Sequence, residues 1–263
     1  MVQFVAVNKE RHGAKRWQRP VNYPFAAAEA SVPVIGAELG RAALSMPLAF
    51  SEKAGRYTLV AVLSLAPGKN SFVGSDGRWL GGYVPAWLRV YPFCFLPQKG
   101  GGEPVLSVDE GSGLVVDGGL SGEAFFDVDG KLSPALKPIV ELLRQVQRSQ
   151  QATDLAVSAL AQAGVIKPWQ IKIKSEQGEQ TINGLHHVDE AAFAALPDEA
   201  FMKLRSVSAL PVAYAQMLSE GQLSIFAQLA RLHNQVKRPA IAALPENIDA
   251  LFQLPADDTI KFQ

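Results

Sequence analysis

The periodicity of the chain changes at Ser133, and that change restricts the architectures open to it. Before Ser133, apolar residues come in short runs cut by turn dipeptides. "RYTLVAVLSL" (56–65) is apolar and β-branched enough for a buried strand, and Pro67-Gly68 ends it. Asp76-Gly77 and Asp129-Gly130 are dipeptides suited to tight turns with positive φ, so "SFVGSDGRWLGGY" reads as a hairpin. "PVLSVDEGSGLVVDGG" supplies two more short strands around Gly111 and Gly113, and "IGAELGRAALS" is the one short helix expected there. After Ser133, Leu136, Val140, Leu143, Val146, Val157 and Leu160 recur at helical spacing. Ser133 suits an N-cap, Pro134 the first helical position, and Gly164 the stop. The polar middle, "RSQQAT", places a break near Ser149.

"WQIKIKSEQGEQTINGLHHV" alternates at Ile171 and Ile173, turns at Gly178 and returns through Ile182, which predicts a hairpin over 169–187. Helical segments follow: Asp189 caps "EAAFAAL", Pro197-Asp198-Glu199 starts the next, and Leu223, Phe226, Leu229 and Leu232 form a core-facing stripe. The fold class is therefore α+β, with a strand-rich N-terminal half and a mainly helical C-terminal half carrying an inserted β-hairpin. The expected organisation is a β-rich part over 1–132, a helical part over 133–238 and a C-terminal extension over 239–263, joined as one integrated domain. A chain of 263 residues can bury a sizeable core in that form.

Charge excludes some partners. With 25 basic and 25 acidic residues the net charge is zero, so nothing global draws the chain to nucleic acid or anionic lipid. A neutral surface also does little to keep copies apart, which favours a protein partner or self-association. The basic stretch "NKERHGAKRWQRP", with Trp17 inside it, reads as a solvated arm and not as a single-strand binding segment. No apolar run approaches the roughly 20 residues of a membrane span, and the N-terminus has the wrong order of charge and apolar residues for a signal peptide. A cytoplasmic protein is expected.

Chemistry-bearing motifs are few. Cys94 is the single cysteine and lies between Phe93 and Phe95, where it reads as a small buried hydrophobe. His187, Asp189 and His233 supply the donor types of a two-His, one-carboxylate Fe(II) site, but Asp189 has a simpler role as an N-cap and His233 falls on a helix. "FFDVDGKLSPAL" fails as a calcium loop because Phe125 and Leu136 would occupy its first and last ligand positions. "APGKNS" lacks the upstream Gly and the Ser or Thr of a phosphate loop, and no Gly-x-Ser-x-Gly elbow occurs. No cofactor is implied.

One segment stands apart. Trp79, Tyr83, Trp87, Tyr91 and Phe95 fall four apart, yet Gly81, Gly82, Pro85 and Pro92 prevent one helix from carrying them. The expected local structure is a single helical turn, "PAWLR", with Tyr83 and Phe93 in flanking strands and Trp87 and Tyr91 as anchors. The competing reading is a small-molecule pocket in which Arg89 clamps a carboxylate and Trp79, Tyr83 or Trp87 stacks on the ligand. Arg89 decides between them, because if buried without a carboxylate partner it calls for a ligand.

"VNKERHG", "AELGRAALSMPLAFS", "GYVPAWLRVYPF", "FFDVDGKLSP" and "LPVAYAQMLSEGQ", in that order, resemble the bacterial SapC family over residues 5–235. The peptide-transport permease that shares the name is a different protein, and its membrane spans have no counterpart here. The resemblance implies a link to a surface-layer-associated protein and carries over no reaction, cofactor or catalytic residue. The leading expectation is a non-enzymatic interaction or accessory protein, and the alternative a small-molecule binder or enzyme with its pocket near residues 79–95.

Overall fold

The computed structural model describes residues 3–98, 102–119, 121–175 and 178–237. The C-terminal extension over 239–263 therefore lies outside the described residues. Among the described residues nine strands precede Ser133: β1 (Phe4–Ala6), β2 (Arg16–Trp17), β3 (Ser31–Pro33), β4 (Leu48–Lys53), β5 (Arg56–Val62), β6 (Phe93–Leu96), β7 (Val105–Asp109), β8 (Val115–Val116) and β9 (Glu123–Ala124). Three short helices lie among them: α1 (Lys9–His12), α2 (Leu39–Ala43) and α3 (Ala86–Arg89). Beyond Ser133 come α4 (Lys137–Gln162), the hairpin β10 (Ile166–Ser175) and β11 (Gly178–Val188), then α5 (Glu190–Ala194), α6 (Asp198–Ser206), α7 (Ala209–Ser219) and α8 (Ile225–Lys237). The fold is α+β, strand-rich first and mainly helical after.

The hairpin is longer than the alternation predicted, and it is built into the sheet of the N-terminal half. Leu185 and His186 of β11 pair with Ser51 and Phe50 of β4, giving an antiparallel sheet in the order β10-β11-β4-β5-β3. Two three-stranded sheets, β1-β7-β6 and β8-β2-β9, complete the strands. One face of the five-stranded sheet carries Leu48, Phe50, Leu59 and Ala61 into a core shared with Val157 and Leu160 of α4 and Val212 and Ala213 of α7. A second core gathers Trp17, Phe93, Phe125 and Leu136 around Ile139, Leu143 and Val146 at the start of α4.

Helix α4 thus runs past both cores as one unbroken element of 26 residues. The break expected near Ser149 does not occur, because the polar waist has partners. The Thr153 hydroxyl accepts from the Gly36 N–H at 2.8 Å, and the Ser149 hydroxyl accepts from the Ala37 N–H at 3.2 Å. Those donors are the free N–H groups of a 3-10 turn, Gly36–Glu38, which docks on the waist. At the other end Gly164, with φ of +71°, stops the helix as expected. Ser133 acts one turn early: its hydroxyl accepts from Leu136 N–H at 3.2 Å, and regular helix starts at Lys137.

Three local expectations need correction. The Asp76-Gly77 turn forms, but its flanks make one isolated bridge, Val73 to Trp79, because the chain closes on a stack of Phe72 and Trp79 instead of extending a ladder. Tyr83 is not in a strand; it sits in irregular chain ahead of α3. The basic N-terminal stretch is not a solvated arm either: it contains α1 and β2, and Trp17 is buried in the second core, out of reach of any nucleic-acid base.

Candidate functional site

The turn docked on α4 delivers Glu38, which is 4% exposed and, among the described residues, forms no ion pair. Instead its carboxylate collects hydrogen-bond donors. Oε1 accepts from the Ile35 N–H at 3.1 Å, while Oε2 accepts from the Ala86 N–H and the Tyr83 hydroxyl, each at 2.7 Å. Glu38 thereby fixes both the start of α3 and the tyrosine ahead of it. A buried carboxylate is tolerable when it accepts several such bonds.

Tyr83 passes this arrangement outward. Its hydroxyl also accepts from Arg89 Nη2 at 3.1 Å, and the Arg89 guanidinium lies 5.5 Å from the centre of the Tyr83 ring. Burial first, and the Glu38 carboxylate second, push the Tyr83 phenol up to about 12. Arg89 is exposed, so burial without a carboxylate, the condition that would call for a ligand, is not met; among the described residues neither Arg89 nor Arg41 on α2 has a carboxylate partner.

These side chains line a cleft of about 560 Å³ between α2, α3 and α4. Glu38, Arg41, Tyr83 and Arg89 form its polar wall, and Ile35, Leu44, Ala86, Leu142 and Val146 its apolar one. Two guanidiniums against one carboxylate leave one net positive charge. The arrangement suits an anionic group beside an apolar body.

Of the four residues singled out in the aromatic segment, two reach this cleft. Tyr83 and Arg89 line it, whereas Trp79 and Trp87 brace it from behind. Trp79 stacks on Phe72 with ring centres 5.3 Å apart, and its indole N–H donates to the Tyr83 carbonyl at 2.8 Å. The Trp87 indole donates to Gln150 Oε1 of α4 at 3.2 Å. Sequence reading missed Glu38 and Arg41. Their only signal was a charged pair at i, i+3 inside "AELGRAALS", a pattern shared with any solvated helix face.

The far end of the segment repeats the device. The Tyr91 hydroxyl donates to Asp109 Oδ2 at 2.8 Å, while Oδ1 accepts from the N–H groups of Gln3 and Gly111. Phe25 stacks on Tyr91 at 3.8 Å, and burial pushes the Tyr91 phenol up. Two buried carboxylates, each holding a tyrosine, pin "GYVPAWLRVYPF" at both ends.

The family model described as SapC matches residues 7–225. This chain belongs to the SapC family. The matched span holds Glu38, Arg41, Tyr83, Arg89 and the α4 side of the cleft. No curated protein and no solved structure matches the chain.

The remaining candidates in this SapC-family chain are engaged separately. His187 Nδ1 lies 2.9 Å from Glu220 Oε1, and the imidazole stacks on Trp169. Asp189 Oδ1 accepts from the Ala192 N–H at 3.0 Å, capping α5. His233 Nε2 donates to the Ser71 carbonyl at 2.8 Å. Among the described residues no three His, Cys, Asp or Glu side chains are grouped to hold a metal ion. Burial, then Asp109, raises the Cys94 thiol to about 11. Among the described residues no helix is long and apolar enough to cross a membrane.

Proposed function

We propose that this SapC-family chain is a non-enzymatic binding protein whose ligand places a carboxylate between Arg41 and Arg89. One observation carries this reading: two guanidiniums that have no carboxylate partner among the described residues stand over an apolar cleft wall. A planar, always-charged guanidinium is the side chain best matched to a carboxylate. Tyr83 steers Arg89 toward the cleft, and Leu142 and Val146 cover the apolar part of the ligand. The groups nearby that do chemistry elsewhere are occupied here. Glu38 has three donors, and the Tyr83 phenol holds its proton until about pH 12. The surface-layer connection implied by the family's name is proposed as the biological setting of this binding, and the ligand chemistry does not depend on it.

Calorimetric titration with octanoate tests the reading, with octylamine as the control of opposite charge. Saturable octanoate binding is expected, weakened about tenfold or more in Arg89→Ala, a loss in the range of one charge-assisted hydrogen bond. Circular dichroism of the variant should match the parent, because Arg89 is exposed. Equal binding of octanoate and octylamine, or octanoate binding indifferent to Arg89, overturns the proposal.

A further inference from the structure

We infer that the cleft's ligand is elongated and carries an anionic group at each end, the second one held by Arg19. This rests on the reading of the cleft as a carboxylate site and extends it along the molecule. Arg89 does not serve the cleft alone. It also borders a smaller cavity of about 140 Å³, whose walls include Trp17, Arg19, Tyr91 and Ile139.

Both cavities lie against the same face of α4. Ile139 borders the smaller one, and Leu142 and Val146 border the cleft. Positions i, i+3 and i+7 of a helix share one face. At 1.5 Å rise per residue, Ile139 and Val146 are about 10 Å apart along the axis. The cavities are thus about 10 Å apart along α4 and share Arg89 as a wall.

Positive charge follows the same line. Arg41 stands at the cleft, Arg89 between the cavities and Arg19 at the far one. Among the described residues none of the three has a carboxylate partner; Arg19 lies instead over the Trp17 ring at 5.8 Å. Glu38, whose oxygens are already engaged, is the one acidic residue lining either cavity among the described residues. A monoanion uses only the Arg41–Arg89 end. A dianion with an apolar middle uses all three guanidiniums. A polyanion charged along its whole length fits less well, because Ile35, Leu44 and Leu142 give the cleft an apolar wall.

The probes are decanoate and decanedioate, equal in chain length and different by one carboxylate. They are titrated calorimetrically into the full chain, Arg19→Gln, Arg19→Ala and Arg89→Ala. Arg19→Gln keeps a stem over Trp17, and Arg19 is exposed, so both variants retain the fold by circular dichroism. Decanedioate should bind about tenfold tighter than decanoate, the gain from one further charge-assisted contact. Both Arg19 variants should remove that advantage and leave decanoate affinity unchanged. Arg89→Ala should weaken both ligands. If decanedioate is no tighter than decanoate, or keeps its advantage without Arg19, the two-ended ligand is wrong. In that case decanoate binding that still needs Arg89 leaves the carboxylate cleft standing. If neither probe binds the parent chain, both readings fall together.

Discussion

The Glu38 carboxylate gathers donors from its own turn and from a segment 45 to 48 positions later, so one side chain sets how α3 meets α2. A glutamine there has one acceptor oxygen where the carboxylate has two, and its amide would face a donor it cannot satisfy. Glu38→Gln should therefore cost about 1–3 kcal/mol in a denaturant titration, the range for stranding a buried donor. Tyr83 gives an independent readout. Its phenol is held up to about 12 against an ordinary value of 10.0, by burial first and Glu38 second. A folded value above the unfolded one means that this contribution is intact below pH 10 and is lost as pH rises through about 12. In Glu38→Gln the ultraviolet ionisation midpoint of Tyr83 should fall toward 10. A midpoint unmoved by the substitution would show that burial alone holds the proton and that Glu38 only positions the ring.

At the scale of elements, the polar waist of α4 does what a hydrophobic stripe cannot. It receives a backbone turn whose N–H groups need acceptors, and that turn carries Glu38 into place. Thr153 is 2% exposed and also donates to the Ser149 carbonyl at 2.7 Å, so Thr153→Val keeps the shape while removing the acceptor of Gly36 N–H. The expected loss is again about 1–3 kcal/mol, without change in helix content. It should be accompanied by weaker octanoate binding, since the cleft wall moves with the turn. Unaltered affinity with unaltered stability would mean that the docking is incidental. The same waist explains what sequence reading could and could not reach. The apolar period of Leu136 to Leu160 and the Gly164 stop were legible because burial and backbone sterics act locally. "RSQQAT" looked like a break because its partners, Gly36 and Ala37, lie more than a hundred residues upstream. Tyr83 and Arg89 were legible as candidates from residue type, whereas Glu38 and Arg41 were hidden in a pattern common to solvated helices. Trp79 and Trp87 have the composition of a binding face, yet their indole N–H groups find internal acceptors, and only the three-dimensional pairing reveals that.

Across the whole molecule, the N-terminal segment is held to the body by a charge cluster that spans 99 positions. Arg11 Nε donates to Glu110 Oε1 at 2.9 Å, Lys15 Nζ lies 3.5 Å from the same oxygen, and the fully buried His12 has its Nε2 3.3 Å away. Two groups in this cluster give acid sensitivity in separate windows. Burial lowers the His12 imidazole below its ordinary 6.5, against the opposing pull of Glu110 and with Lys15 and Arg11 adding to the depression. The unfolded chain then binds a proton that the folded chain resists, so stability falls as pH drops through 6.5. The Arg11 guanidinium, with Lys15 beside it, holds the Glu110 carboxyl down to about 2 from an ordinary 4.5. Its contribution is present above pH 4.5 and is lost as pH falls toward 2. Urea titrations across pH should show a decline in two stages, the first below neutrality and the second below pH 4.5. His12→Gln should flatten the first stage and largely leave the second, whereas Glu110→Gln should remove the second and deepen the first, because Glu110 opposes the depression of His12. Because Arg11 is exposed, raised salt should weaken the second stage more than the first, which stems from burial of an uncharged ring. A decline in one smooth step, unchanged by His12→Gln, would place the acid sensitivity elsewhere and remove His12 from it.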